Sequence, residues 1–424
     1  MEVLMAGWRQ KFFFGVLFLV ALIGWAGYSP ANAATLTVSN TNDSGSGSLR
    51  AAIAAAAPGD TINFSVTGAI TLTTGELLID KNLTISGPGA SSLTIGGGGA
   101  SRVFELALGN TATISGLTVT NGAADNGAGI LVNSSAVLNL SNSVVSNNHS
   151  VTGIAQGGGI TVFGTLNLSD STISSNSATN GGGGLRVRFG ATANVARCAI
   201  TGNQLTAFGA AGAGIETQGT LSITNSTVSE NSSPQGNGAG VSVEDSQTTM
   251  LNNTIAFNTS SAGAGANLEV LGGAGSAPAA TIRNTIISNP VAGLNCRVVG
   301  SGTLTSNGYN LESTNTCGLG ATGDITNSDP LLGPLALNTP GATMTHAILS
   351  GSPAIDTADP VTFPPTDQRG IARPQGPRAD IGSYEFAALP PTAVPAMNGW
   401  GTTAFMLLIG LGAAYHLKRR KKEI

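Results

Sequence analysis

The chain has 424 residues, 60 of them glycine, and only 9% are charged, with 18 Lys and Arg against 22 Asp and Glu. A globular domain usually carries roughly 25% charged residues, and a nucleic-acid binder needs clustered positive charge, so the composition excludes a nucleic-acid partner and fits an α/β enzyme poorly. Apolar residues still make up 41% of the chain and recur in register, which a disordered chain does not show.

Residues 1–33 contain Arg9 and Lys11, an apolar run from Phe12 to Trp25, and Ala31-Asn32-Ala33. That order is the basic, apolar and A-x-A cleavage pattern of a signal peptide. Leaving out Arg9, Lys11, Lys418, Arg419, Arg420, Lys421 and Lys422 takes 18 cations to 11, and leaving out Glu2 and Glu423 takes 22 anions to 20. The exported body then carries about −9, a poor match for anionic surfaces.

Residues 34–59 read as an N-terminal cap. Ala34 to Asn40 is strand-like, and Ser48 to Ala57 is a helix stopped by Pro58-Gly59. Leu49 and Ile53 fall on one face of that helix, which a solenoid would use to cover its first coil.

Residues 60–329 read as a parallel β-helix of about ten coils, roughly 50 Å long at about 4.8 Å per coil. Copies align on GAGILV from Gly127, GGGITV from Gly157, GGGLRV from Gly182, GAGIET from Gly212, GAGVSV from Gly238 and GAGANL from Gly263. A fixed period of this size means stacked units. Ile130/Val132, Ile160/Val162 and Leu185/Val187 alternate as inward residues, while Thr161, Arg186, Glu216, Ser242 and Asn267 point outward. Each copy adds a second run such as TLNLS and a third such as STISSN, giving three short strands per coil. No helix follows the GxG strings, so they are turn glycines and not a dinucleotide site.

The third runs close on Asn147, Asn176, Asn203, Asn231, Asn258 and Asn289. Stacked one above another, these form a structural asparagine ladder. Cys296 and Cys317 lie about one coil apart, and in an oxidising compartment they are a candidate disulfide closing the last coils. Cys198 is expected as a buried small hydrophobe of a third strand. His149 and His346 show no ligand spacing and read as turn or cap residues, so no metal site is expected from His or Cys.

Catalysis on this fold would need carboxylates on one outer face. The alignment puts Arg188, Gln218, Glu244 and Glu269 in one column and Arg186 with Glu216 in the next, leaving Glu244, Asp245 and Glu269 as the catalytic or Ca2+-binding candidates. The simpler reading has these side chains splayed into solvent and Arg186 paired with Glu216. No cofactor is expected beyond that Ca2+ candidate.

Three segments resemble known families. NTNDSGSGSLRAAIAAAAPGDTINF, with Gly47-Ser48-Leu49-Arg50-Ala51-Ala52, resembles the start of bacterial surface β-helix proteins with a CSLREA-like motif, although it lacks the Cys and Glu. Residues 330–389 contain THAIL (Thr345–Leu349), GSPAID (Gly351–Asp356), TDQRG (Thr366–Gly370) and DIGSYE (Asp380–Glu385), and resemble the choice-of-anchor Q region of secreted β-helix proteins. There Asp356, Asp367, Arg369, Arg373 and Asp380 are expected to form an ion-paired closing layer over the last coil. Residues 390–424, with the PPTAVP linker, Pro395, Trp400-Gly401, the apolar run Thr402–Leu417 and Lys418–Lys422, are similar to an IPTL-type sorting segment.

The resemblances imply an all-β, right-handed, single-stranded parallel β-helix with terminal caps and a C-terminal transmembrane helix read by a sorting protease. They imply a Gram-negative-type envelope, outer surface or extracellular matrix, with a transient or permanent inner-membrane anchor. The expected role is structural, adhesive or glycan-contacting, with polysaccharide as partner, and the alternative is a polysaccharide lyase or glycoside hydrolase.

Overall fold

The computed structural model describes residues 33–151, 156–273, 277–387 and 399–420. The leader and Pro395 lie outside the described residues. From Thr35 to Glu312 the chain is a right-handed parallel β-helix. Sheet A has eleven strands, from Thr35–Val38 to Thr303–Ser306; sheet B has ten, from Gly68–Thr71 to Leu311–Glu312; sheet C has nine, from Leu77–Ile79 to Leu294–Val299. Each coil runs from C to A to B. Four coils add a two-residue strand, Ser177–Ala178, Gln204–Leu205, Ser232–Ser233 and Thr259–Ser260, so these coils carry four strands instead of three.

Alternation explains the core. In sheet C, Ile130 and Val132 sit beside Ile160 and Val162, which sit beside Leu185 and Val187, all fully buried. The inward residues of all three sheets form one continuous apolar cluster from Val38 to Cys317. Helix α1 (Leu49–Ala55) closes the first coil by burying Leu49, Ala52 and Ile53, and Ser48 caps it by accepting from the Ala51 amide at 3.2 Å.

The asparagine ladder is present with altered membership. Asn148, Asn176, Asn203, Asn231 and Asn258 are fully buried, and each Nδ2 donates to the Oδ1 of the next at 2.9–3.0 Å. Each Oδ1 also accepts a backbone N–H from the preceding coil, as Asn231 does from Asn203 at 3.0 Å. Asn147 and Asn289 do not belong to it. They occupy a column one residue earlier, in the left-handed conformation (φ 55° and 49°), which asparagine tolerates. Pro290 stands where the next ladder residue would be, so the chain of amides crosses to Asn267 of sheet C at 2.9 Å and then to Asn295 at 2.8 Å.

A second ladder lines the turn between sheets A and B. The amides of Ser143, Cys198, Ser226 and Thr285 donate to Ser171 Oγ, Ser226 Oγ, Asn253 Oδ1 and Asn310 Oδ1 in the following coils. Cys198 therefore occupies a serine position in this turn rather than a strand.

The C-terminal region differs from the expected closing layer. The last coil is closed instead by residues 313–326: Cys317 is disulfide-bonded to Cys296, Leu319 packs on the main core, and the buried Glu312 carboxylate accepts from the Thr316 and Cys317 amides. Residues 330–386 run back along the flank of sheet B. Thr343 Oγ1 donates to Arg197 O, Asn225 Nδ2 to Thr366 O, Asn252 Nδ2 to Asp380 O and Asn284 Nδ2 to Thr362 O, spanning four coils. The outward Ile286 makes this the preferred seat, because it joins Leu311, Ile348, Ala354, Ala358, Ala379 and Ile381 in a second apolar cluster. The ion pairs lie inside this flank: Arg369–Asp367 at 2.7 Å and the fully buried Arg373–Glu385 at 3.1 Å. His346 is also buried there, between Ser229 Oγ and Gly333 O, both at 2.8 Å.

Residues Gly399–Arg420 form helix α2, which carries Trp400 and Gly401. The expectation of a transmembrane helix is corrected: among the described residues no helix is long and apolar enough to cross a membrane. Its apolar run spans only about 24 Å at about 1.5 Å per residue, against a hydrocarbon core of about 30 Å.

The ladder makes a direct prediction. Asn203→Leu or Asn231→Leu leaves neighbouring amides unpaired and costs about 1–3 kcal/mol each, while Asn147→Gly, outside the ladder, changes stability by less than about 0.5 kcal/mol. Thermal unfolding of the three variants checks the ranking.

Candidate functional site

Three outward faces could serve as a site. On sheet C the register pairs Arg186 with Glu216, Glu216 with Ser242, Ser242 with Glu269 and Glu269 with Arg297. Glu269 therefore stands in the column of Arg186 and Glu216, and Glu244 is beside Leu271. The expected pairing of Glu244 with Glu269 is corrected for a local reason. Gly265-Ala266-Asn267-Leu268, not the motif two residues earlier, is in step with Gly238-Ala239-Gly240-Val241, because this strand is lengthened to Gly265–Leu271. Glu244 is half-buried with Gln218 Nε2 at 3.4 Å, and Asp245 is an exposed left-handed turn residue (φ 48°). Among the described residues no group of three or more His, Cys, Asp or Glu is gathered as metal ligands would be.

The sheet C column is also inaccessible. Thr161, Arg186, Glu216, Ser242 and Glu269 are all at most 3% exposed, because the return loops of the coils lie across them. The repeated glycines make this possible: a Cβ at Gly182 (φ 62°) would sit 2.5 Å from the Arg186 Cβ, and one at Gly238 (φ 51°) 2.8 Å from the Ser242 Cβ. Beneath the loops Arg186 Nη1 pairs with Glu216 Oε2 at 2.6 Å, and Arg297 Nε lies 2.5 Å from Glu269 Oε1. Burial pushes the Glu216 carboxyl up to about 8 against the pull of Arg186, and Glu244 adds to the rise. Burial raises Glu269 too, opposed by Arg297. Arg186–Glu216 is a fully buried structural pair whose desolvation rivals its attraction, while Glu269 is buried against an Arg297 that is 34% exposed.

The flank of sheet B is occupied by residues 330–386 in its later coils, which leaves sheet A. Its central outward column reads Thr35, Thr61, Thr84, Thr113, Asn139, Asn167, Asn194, Ser222, Thr249, Thr281 and Thr305, in register through all eleven strands. Every member is hydroxyl or amide, at least partly exposed, and uncharged. Asn167 Nδ2 donates to Asn139 Oδ1 at 2.8 Å and Asn194 Nδ2 to Asn167 Oδ1 at 2.9 Å, so the amides are held in one orientation. Beside this column runs a shallow groove of 460 Å³ lined by Asn139, Ser141, Asn167, Ser169, Asn194, Ser222 and Thr224 together with the apolar Leu140, Leu168, Val195 and Ala196. A second groove of 250 Å³ shares Ser222 and Thr224 and continues past Thr249 and Thr281 to Arg283 and Thr362. At the turn leading into sheet A, Arg188 lies over the Phe163 ring at 5.6 Å and bonds Gln156, while Phe189 is 81% exposed.

Sequence reasoning found the strands of sheet A but not this column. Its signal is the middle residue of VLNLS, TLNLS, TANVA, TLSIT, QTTML and AATIR, polar in each.

A family model described as the right handed beta helix region matches residues 103–270. Among solved structures, a crystal structure of pectate lyase Pel9A is 15% identical, covers 85% of this chain and 97% of its own, and superposes with a TM-score of 0.47. A PL6 family alginate lyase, AlyGC, is 13% identical, covers 66% of this chain and 51% of its own, with a TM-score of 0.32. No curated protein matches the chain.

The buried acids set a pH dependence. Glu216 rises from an ordinary 4.5 to about 8, and Asp380, buried beside Glu385, from 3.8 to about 7. An acid raised on folding holds its proton in the native state, so its contribution is complete below the ordinary value and is lost as pH climbs through the raised one. These two acids should make the melting temperature fall between about pH 4 and pH 8, against the opposite pull of His346, which burial lowers, and Glu216→Gln should flatten that fall. A melting temperature that climbs across this window would contradict the assignment.

Proposed function

We propose that this chain is an exported surface scaffold that contacts polysaccharide through sheet A without cleaving it. The observation that carries the reading is the eleven-strand uncharged column, a rigid array of hydroxyls and amides repeating at about 4.8 Å. Sugars offer hydroxyls at comparable spacing, and fixed donors and acceptors meet them without ordering costs on the protein side. Export is supported by the leader pattern of residues 1–33 and by the Cys296–Cys317 disulfide, which suits an oxidising compartment. Delivery by a sorting protease acting near Pro395 and Trp400-Gly401 belongs to the same proposal. Against cleavage stands the geometry of the acids: Glu269 is sealed under a loop, away from Glu244 and Asp245.

The test is retention of the full-length chain on insoluble polysaccharides, with new reducing ends and unsaturated products assayed in the same tubes. Retention without products is expected. Product release that survives Glu244→Gln and vanishes on denaturation would overturn the non-catalytic reading by revealing another active centre.

A further inference from the structure

We infer that the groove of sheet A binds one extended, neutral polysaccharide chain lying parallel to the solenoid axis. The inference rests on the polysaccharide-contacting reading above and assigns its ligand class and its site. Two grooves that share Ser222 and Thr224 make one continuous channel across six strands, from Asn139 to Thr281. At about 4.8 Å per strand its length is about 24 Å, enough for several sugar rings in line.

The ligand's orientation follows from the register. Every lining position repeats from coil to coil along the axis, so a polymer whose own units repeat can satisfy the same contacts again and again only if it runs that way. A chain laid across the strands would meet sheet A for one strand's width and then leave it.

Its charge follows from the lining. Between Asn139 and Thr281 the channel presents amides, hydroxyls and the apolar Ala196 and Leu251, with no ionised side chain until Arg283, and Arg283 is already paired with Asp359 of the flank. Among the residues that line the channel a polyuronate would find no cation free to meet its carboxylates, and the body around it is acidic. A neutral polymer loses nothing there. Thr362, held by Asn284 Nδ2 at 2.7 Å, lines the C-terminal end of the channel, so the flank marks where the ligand's path ends.

A second, independent feature suits sugar rings. Phe189, 81% exposed, stands on the turn that enters the Thr192–Ala196 strand, and its neighbour Arg188 lies over Phe163. That turn is at the entering end of the strand, while the channel runs past Asn194 and Ala196 toward the other end, so Phe189 offers the apolar side of a pyranose a stacking surface beside the column rather than within the channel.

The experiment measures binding of the full-length chain to microcrystalline cellulose, chitin and soluble cello- and chito-oligosaccharides, with alginate and polygalacturonate as polyanionic probes. Binding to at least one neutral probe and not to the polyanions is expected. Thr224→Glu, which puts a charge into the channel where the two grooves join, and Asn167→Trp, which fills it, should each weaken that binding at least about tenfold. Phe189→Ala should weaken it by a smaller factor, and Phe208→Ser, on a distant loop, should leave it unchanged. Melting temperatures of all four establish that they fold. Neutral polysaccharide held equally by folded Thr224→Glu and Asn167→Trp would overturn the channel while leaving the proposed function standing. Binding confined to the polyanions would overturn the ligand class. Absence of binding to every probe would overturn both.

Discussion

The amide-to-amide hydrogen bond between stacked asparagines is the constraint on which the rest of this molecule depends. A parallel strand can slip by two residues and keep its apolar side inward, so burial alone does not choose between registers. An asparagine buried at one point in each coil does choose. Each side chain from Asn148 to Asn258 donates to the next and accepts a backbone N–H from the one before, so a slipped coil would strand several polar groups in the core at once. The crossing to Asn267 and Asn295 at Pro290 shows the same requirement met by a different strand.

With the register fixed, every outward position becomes a column, and the three sheets spend their columns differently. Sheet C keeps Arg186, Glu216 and Glu269 beneath glycine-rich loops, where each acid faces an arginine and no ligand reaches the carboxyls. In its later coils sheet B turns Ile286 and Leu311 outward and seats the C-terminal flank, which holds the Arg369–Asp367 and Arg373–Glu385 pairs within it and lends Asp359 to Arg283 of the solenoid. Sheet A stays open with hydroxyls and amides. The division of labour follows from side-chain chemistry at one position in each coil, repeated by the ladder along the axis.

Much of the solenoid was legible because period and alternation are local signals. Gly127, Gly157, Gly182, Gly212 and Gly238 mark the entry to sheet C correctly, and the inward pairs that follow them lie in the core. Reading failed where two columns share a residue type. Asn147 and Asn289 are left-handed turn residues beside the ladder, and only backbone conformation separates them from Asn148. It failed again at Gly263, where a lengthened strand moved Glu269 into the column of Glu216. The C-terminal motifs Thr345–Leu349 and Asp380–Glu385 were recognisable, but nothing in them says that they pack sideways. That choice depends on Ile286 and Leu311, which in sequence read as ordinary strand residues. The polar column of sheet A was in plain view and lacked only the register that makes it continuous.

Native-state hydrogen exchange at the backbone amides of Asn176, Asn203 and Asn231 tests the central claim most directly. Each of these N–H groups donates to the side chain of the next asparagine at 2.9–3.0 Å, buried on all sides. If the ladder fixes the register, all three exchange only through global unfolding, with a common free energy equal to that of the whole solenoid. Exchange at any of them through a local opening of lower free energy, while sheet A and sheet C amides of the same coil stay protected, would contradict the account.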